Sequence, residues 1–399
     1  SRLEDAPPLP QRGFVALLGI RALEMTSRAS VRAARICFHV LPKHGSPPRA
    51  IEVVATASPE GDSDINVDRV AYGFMASQAL FSGLEVGLFD HIAGKQGGAM
   101  SIEELQHLTN ISAPRLQTLV TALTAIKALR RSKEGYSLSP NCGRYLVRSS
   151  KYFYGDYLRM QIGQQFYRHM GALPDVMKTG KGPDYAQLFS DPAEADLYTR
   201  AQHNGSLATA KQLCRKVDFK SMSTVLDIGG GSGAFSIVIC RAHPQIKATV
   251  LEFPEVCKTG QGFVRAEPAQ IADRIRYVPG SCLDAWQEEL GADHDVVLLS
   301  YVSESVPASA VSEMYKRSFA RLRPGGLLIV HSFMVDDSLD GPELGALWSL
   351  QHVAVNAEGF GLHPSMVEGF MRDAGFRDVE HSEMIGGLTK LVIGKKPPA

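Results

Sequence analysis

Val225-Leu226-Asp227-Ile228-Gly229-Gly230-Gly231-Ser232-Gly233 decides how the rest of this chain is read. An apolar run ends in an acid, and three spaced glycines follow. Glycines there allow a tight turn and let backbone N–H groups come close to a ligand. Around the loop, STVLDI, KATVLEF, IRYVPG, HDVVLLSYV and GLLIVHSFM read as strands, with AFSIVICRAH and ASAVSEMYKRSFARL as helices between some of them. Strands alternating with helices predict a doubly wound, mainly parallel α/β sheet, whose ligands bind beyond the carboxyl ends of the strands. The loop alone is shared by dinucleotide-binding proteins and by turns that only pack a helix on a sheet. Asp227, one residue ahead of the glycines, suits a cationic amino-acid group better than a pyrophosphate. Glu252, ending the second strand, can accept both hydroxyls of a ribose.

Upstream of the sheet the pattern changes twice. The 399 residues carry 42 basic and 42 acidic side chains, so no overall charge points to nucleic acid. No apolar run is long enough to span a bilayer. The six cysteines are scattered without a CxxC pair, which indicates neither a metal site nor a disulfide framework. Residues 1–64 form a distinct extension and linker. Between Asp5 and Glu52 the only acid is Glu24, and Arg28, Arg32 and Arg35 fall on one helical face. With Met25 as a candidate initiator, this composition predicts an organelle transit segment, mitochondrial or plastid, followed by a linker from Pro47 to Asp64. Residues 65–200 read as mainly helical. An amphipathic run covers 70–93, Ser101 to Glu104 is a capping box, and Pro114 opens a helix to about Leu129. A hairpin follows over Arg130–Leu138 with Gly135 as its turn. Helix, helix, hairpin is a winged-helix arrangement. Its apolar third segment, LQTLVTALTAI, fits dimerisation better than DNA reading. Residues 201–399 are the sheet domain.

VLDIGGGSG, LEFPEV, RLRPGGLLIV (Arg321–Val330) and MRDAGF (Met371–Phe376) together resemble the two-domain small-molecule methyltransferases typified by the plant caffeate and animal acetylserotonin O-methyltransferases. The resemblance runs from about Ile65 to the C-terminus. It implies a class I S-adenosylmethionine (SAM) fold without metal, and a homodimer formed through the N-terminal domain. By motif position it places SAM on Asp227, Gly229, Gly231, Gly233 and Glu252. The family's adenine-contacting acid falls at Ser281, beside Cys282. That is a departure: either Asp284 substitutes or Ser281 suffices.

The family's histidine base is replaced as well: in Tyr301-Val302-Ser303-Glu304-Ser305-Val306, its position holds Glu304. A phenol acceptor, with pKa about 10, must lose a proton during methyl transfer, and a carboxylate near 4.3 is a poor base for it. A thioether has no proton to lose and becomes a sulfonium, which aromatic faces and a carboxylate stabilise. The segments LSYVSESVPAS and ALWSLQHVAVNAEGFGLHPS resemble the algal methyltransferases of dimethylsulfoniopropionate synthesis, which implies S-methylation of 4-methylthio-2-hydroxybutyrate. Arg159, Arg168 and Arg200 are candidates to pair its carboxylate. Tyr154, Tyr157, Gln161, Gln165, Gln202 and His352 are expected along the acceptor cavity. Three rival readings stay open. One is an O-methyltransferase whose base is His203 or a Glu304 raised by burial; another is a SAM-binding rearrangement enzyme; the last is a DNA-binding regulator.

Overall fold

In the computed structural model, residues 34–39, 50–55, 65–356 and 361–398 are described. The chain divides into two compact units, residues 1–71 and 72–399. In the first, Ala34–His39 pairs antiparallel with Ala50–Ala55. Arg35, expected on a helical face, therefore lies in a strand, and the expected linker contains the partner strand. β-Branched and aromatic residues in ARICFH and AIEVVA favour that outcome. Most of the expected targeting segment lies outside the described residues.

The second unit opens with short helices. The run expected as one helix over 70–93 is broken at Tyr72 and again at Gly87, which sits at φ +67 between Gly73–Glu85 and Leu88–Gly94. The capping box is present: Glu104 N donates to Ser101 Oγ at 3.3 Å, and Ser101 N donates to Glu104 Oε2 at 3.0 Å. Helix Ala113–Ala125 stops short of Leu129, because Lys127 turns left-handed and Leu129–Arg131 begins the hairpin with Tyr136–Leu138. That helix buries Leu116, Val120 and Leu123 in the core of the winged-helix part.

A series of helices then leads to the sheet, two of them the longest. Tyr157–Phe166 is a π-helix, and Pro192–Lys216 runs unbroken through position 200, where the domain boundary was expected. The sheet has seven strands in the order Arg377–Ile385, Thr389–Lys395, Leu322–Ser332, His294–Ser300, Thr224–Ile228, Lys247–Glu252, Ile275–Pro279. The last five are parallel; Thr389–Lys395 pairs antiparallel with both of its neighbours. Apolar clusters cover both faces, around Phe235 and Val264 on one and around Tyr315 and Met371 on the other. The strand order reverses between Thr224–Ile228 and His294–Ser300. The ends of those two strands carry the glycine loop and the Glu304 segment, at the crevice where such sheets bind ligands.

Candidate functional site

The glycine loop is built for close approach. Gly229 and Gly231 stand at φ +65 and +56, and a Cβ on Gly229 would come within 2.6 Å of Val302. Gly229 N donates to Leu251 O at 2.8 Å, which fixes the loop to the second strand. Beneath it, Asp227 is fully buried and accepts from Ser236 Oγ at 2.7 Å. Burial lifts its carboxyl to about 6, against the pull of Ser236. Glu252 accepts from Gly231 N at 2.8 Å and from Phe253 N at 2.7 Å, and burial lifts it to about 7. Gly233 caps helix Ala234–Ala242, whose N-terminus faces the loop. A glycine cradle with a carboxylate at the next strand end suits the amino-acid and ribose ends of SAM. Beyond the third strand, Ser281 Oγ accepts from Leu283 N at 3.1 Å and shapes the turn. Cys282 lies close enough to Glu252 to feel its charge. Burial is the larger effect and raises the thiol to about 12.

Glu304 stands in the short 3-10 turn Ser303–Ser305 just past the fourth strand, 1% exposed, and neither carboxylate oxygen has a hydrogen-bond partner. Ser332 Oγ lies alongside and lowers its pKa slightly, but it too lacks a partner of hydrogen-bonding geometry. Burial dominates and lifts the carboxyl to about 7. Tyr185, Tyr198, Tyr301 and Tyr315 gather round it; its negative charge adds to burial in pushing their hydroxyls up, so these rings stay neutral. Tyr198 feels Glu252 as well as Glu304, so it lies near both carboxylates. Tyr301 is held at φ +61, with its ring against His331 at 4.5 Å and Phe333 at 4.9 Å. A non-glycine residue in that conformation is strained, as residues at functional sites often are. Phe333 in turn stacks on Trp348 at 4.5 Å. Trp348 and Gln351 border an apolar cavity of about 260 Å³ with Phe81, Ile162 and Phe166.

The expected site residues divide. Tyr157 joins the cluster, near Tyr301 and Tyr185, with its ring against Gly205. Gln161 is buried with an unpartnered Oε1, as is Gln165, whose Nε2 donates to Glu194. Gln202 Nε2 donates to Tyr198 OH at 3.0 Å. Tyr154 packs edge-on against Tyr145 at 5.5 Å, and its ring lies 6.5 Å from that of Tyr157. His203 faces the glycine loop, 3.1 Å from Ser232 Oγ, and stacks on Phe263. His352 Nδ1 bonds Trp348 O at 2.8 Å, and His331 Nδ1 bonds Ser300 Oγ at 2.9 Å. Burial holds these last two near 4 and 3, so neither takes a proton readily. Among the arginines, Arg168 is exposed and pairs with Glu194, Arg200 pairs with Asp196, and Arg159 pairs with Glu85 through Nη1 while its Nε is buried without a partner. Tyr185, Tyr198 and Gln351 were missed. The aromatic spacing of Tyr185, Phe189 and Tyr198 was the available signal, and those rings pack together. Among the described residues no group of three or more His, Cys, Asp or Glu could hold a metal ion, and no helix is long and apolar enough to cross a membrane.

The O-methyltransferase domain family matches residues 160–377, and the O-methyltransferase dimerisation domain matches residues 69–148. The acetylserotonin O-methyltransferase of Homo sapiens is 27% identical over 343 residues, covering 82% of this chain and 96% of that protein. The N,N-dimethyltransferase OxyT of Streptomyces rimosus is 25% identical over 332 residues, covering 80% and 93%. The crystal structure of human N-acetylserotonin methyltransferase in complex with SAM superposes with a TM-score of 0.74 at 23% identity, covering 84% of this chain and 99% of that one. None of the three names a sulfur acceptor, so the likeness that these comparisons support is to the wider family and not to the dimethylsulfoniopropionate branch. The first match spans more than half of the 399 residues, and the chain belongs to the O-methyltransferase domain family, as a SAM-dependent methyltransferase.

Proposed function

We propose that this enzyme methylates the sulfur of a small thioether, with 4-methylthio-2-hydroxybutyrate as the leading acceptor. One observation carries the reading: Glu304, in place of the family's histidine, is a buried carboxylate with two free oxygens among neutral tyrosine rings. SAM, when bound on the glycine loop, supplies the methyl group as a sulfonium. Glu304 and the tyrosine faces then stabilise positive charge as it passes to the acceptor, and they do so most strongly in a site closed to water. None of the histidines placed here offers a base: His203 faces the cofactor loop, while His331 and His352 are sealed and held neutral. Donors open to the acceptor's carboxylate include Gln351 Nε2 and Arg159 Nε, both buried without a hydrogen-bond partner, while Arg168 and Arg200 pair with Glu194 and Asp196.

Two observations favour O-methylation as a second reading. A carboxyl lifted to about 7 is poised as a general base, and the acetylserotonin enzyme acts on oxygen. Proton counting separates the two. Methylating a hydroxyl releases one proton per turnover; methylating a thioether releases none. Methyl-labelled SAM, offered with the thioether hydroxy acid, methionine, a catechol and N-acetylserotonin in weak buffer, is expected to give a labelled sulfonium without acidification. Label only in an ether, with stoichiometric acidification, overturns the proposal. Tight SAM binding without any transfer would favour the rearrangement reading.

A further inference from the structure

Two adjacent residues of helix Pro192–Lys216 reach the glycine loop from outside. Gln202 Oε1 lies over Gly231, so that a Cβ there would stand 2.8 Å from it, while its amide nitrogen donates to Tyr198 OH. His203 stacks on Phe263, with ring centroids 3.8 Å apart and planes 9° apart. Its Nδ1 shares a hydrogen bond of 3.1 Å with Ser232 Oγ, and Ser232 is 2% exposed. Burial, aided by Arg241 and opposed by Glu267, holds the imidazole near 4, so it is neutral at neutral pH.

We propose that His203 is a positioning residue for the cofactor: with Gln202, it pins the glycine loop in its ligand-ready shape. This rests on the reading of that loop as the SAM seat. The loop sets Ser232 between Gly231 and Gly233, both at positive φ. Such a segment has many conformations to lose, and a side chain that fixes it beforehand reduces the cost of binding. Ser232 is the loop's one hydroxyl, and His203 is its side-chain partner. A protonated imidazole would offer the same bond at the cost of a buried charge, so the stacked, neutral ring is the form that suits the role. Gln202 extends the hold toward the acceptor side through Tyr198.

A double-mutant cycle on the full chain tests this, with S-adenosylhomocysteine affinity read by calorimetry. His203→Phe keeps the stack and loses the polar atom; Ser232→Ala loses the hydroxyl. Each is expected to weaken binding about fivefold to tenfold, and the double variant no more than either single one. His203→Asn, which can still reach the hydroxyl, should recover most of the loss. Turnover of His203→Phe at saturating SAM should stay within about twofold of the parent, with only the KM for SAM raised. Additive losses, or an unchanged affinity in His203→Phe, would overturn the proposal. A fall in turnover at saturating SAM with affinity intact would do so too, and would return His203 to the chemistry. If the unaltered protein fails to bind S-adenosylhomocysteine, the cofactor reading itself falls, a result distinct from the others.

Discussion

Glu304 shows what a single buried charge does to stability and to activity at once. Its carboxyl sits near 7 in the fold against an ordinary 4.5, because burial disfavours the ionised form. Between those values the folded state holds more protons than the unfolded chain, so stability falls as pH rises through the interval. Asp227 and Glu252, lifted to about 6 and 7, act in the same direction. Glu304→Gln is therefore expected to melt a few degrees higher than the parent at about pH 8 and by much less at about pH 5, where ionisation of the unfolded chain's carboxyl has only begun to count against the parent. The same change should lower turnover by about a hundredfold, the scale of losing one preorganised electrostatic group. Equal melting at both pH values would show that the carboxyl is solvated after all. This residue was legible because the motif around it has a fixed length, which numbers the histidine's replacement. Tyr185 and Tyr198 were not: they approach Glu304 from segments more than 100 residues upstream, and only the tertiary fold makes that meeting. The pairing of Arg168 with Glu194 was hidden for the same reason, since nothing local in the sequence shows it.

At the level of elements, the local signals did well and the tertiary ones did not. The Ser101 capping box and Pro114 mark helix starts with chemistry confined to a few residues, and both starts stand as read. The π-helix Tyr157–Phe166 is different. Its wider turn brings Tyr157 and Phe166, nine apart and on opposite sides of an α-helix, toward one face, and i→i+5 bonding of this kind is settled by packing. The loop after strand Leu322–Ser332 carries a second tertiary device. Lys390, 5% exposed, reaches Asp336 at 2.6 Å and Glu383 at 2.5 Å, anchoring the loop whose Phe333 stacks on Trp348. Lys390→Met should raise the acceptor KM by about tenfold while leaving the SAM KM alone, because it frees one wall of the acceptor side and none of the cofactor loop. Equal rises in both would mean a general loss of packing.

For the whole molecule, alternating strands and helices gave the doubly wound sheet with ligands expected beyond the carboxyl ends of its strands, and the observed strand order narrows that expectation to the ends of Thr224–Ile228 and His294–Ser300. The antiparallel strand Thr389–Lys395 was not legible, because a single apolar run does not state its direction. Assembly follows from surface rather than core. Phe74 and Met75 lie exposed within the dimerisation-domain match, and Leu344 and Leu347 lie exposed beside the 260 Å³ cavity. Apolar exposure on this scale fits a homodimer. Light scattering should give near twice the chain's 43.3 kDa, and Phe74→Glu with Met75→Glu should halve it. A parent that is already monomeric would remove the dimer.

Val302 leaves no room for a side chain on Gly229, and it stands two residues before Glu304. The cofactor loop and the acceptor segment thus interlock, and neither can be exchanged as a free cassette. Anyone retargeting this enzyme by grafting residues 301–306 from a relative would be redesigning the cofactor seat as well. The tractable route is to keep Val302 and vary the tyrosines that arrive from other helices.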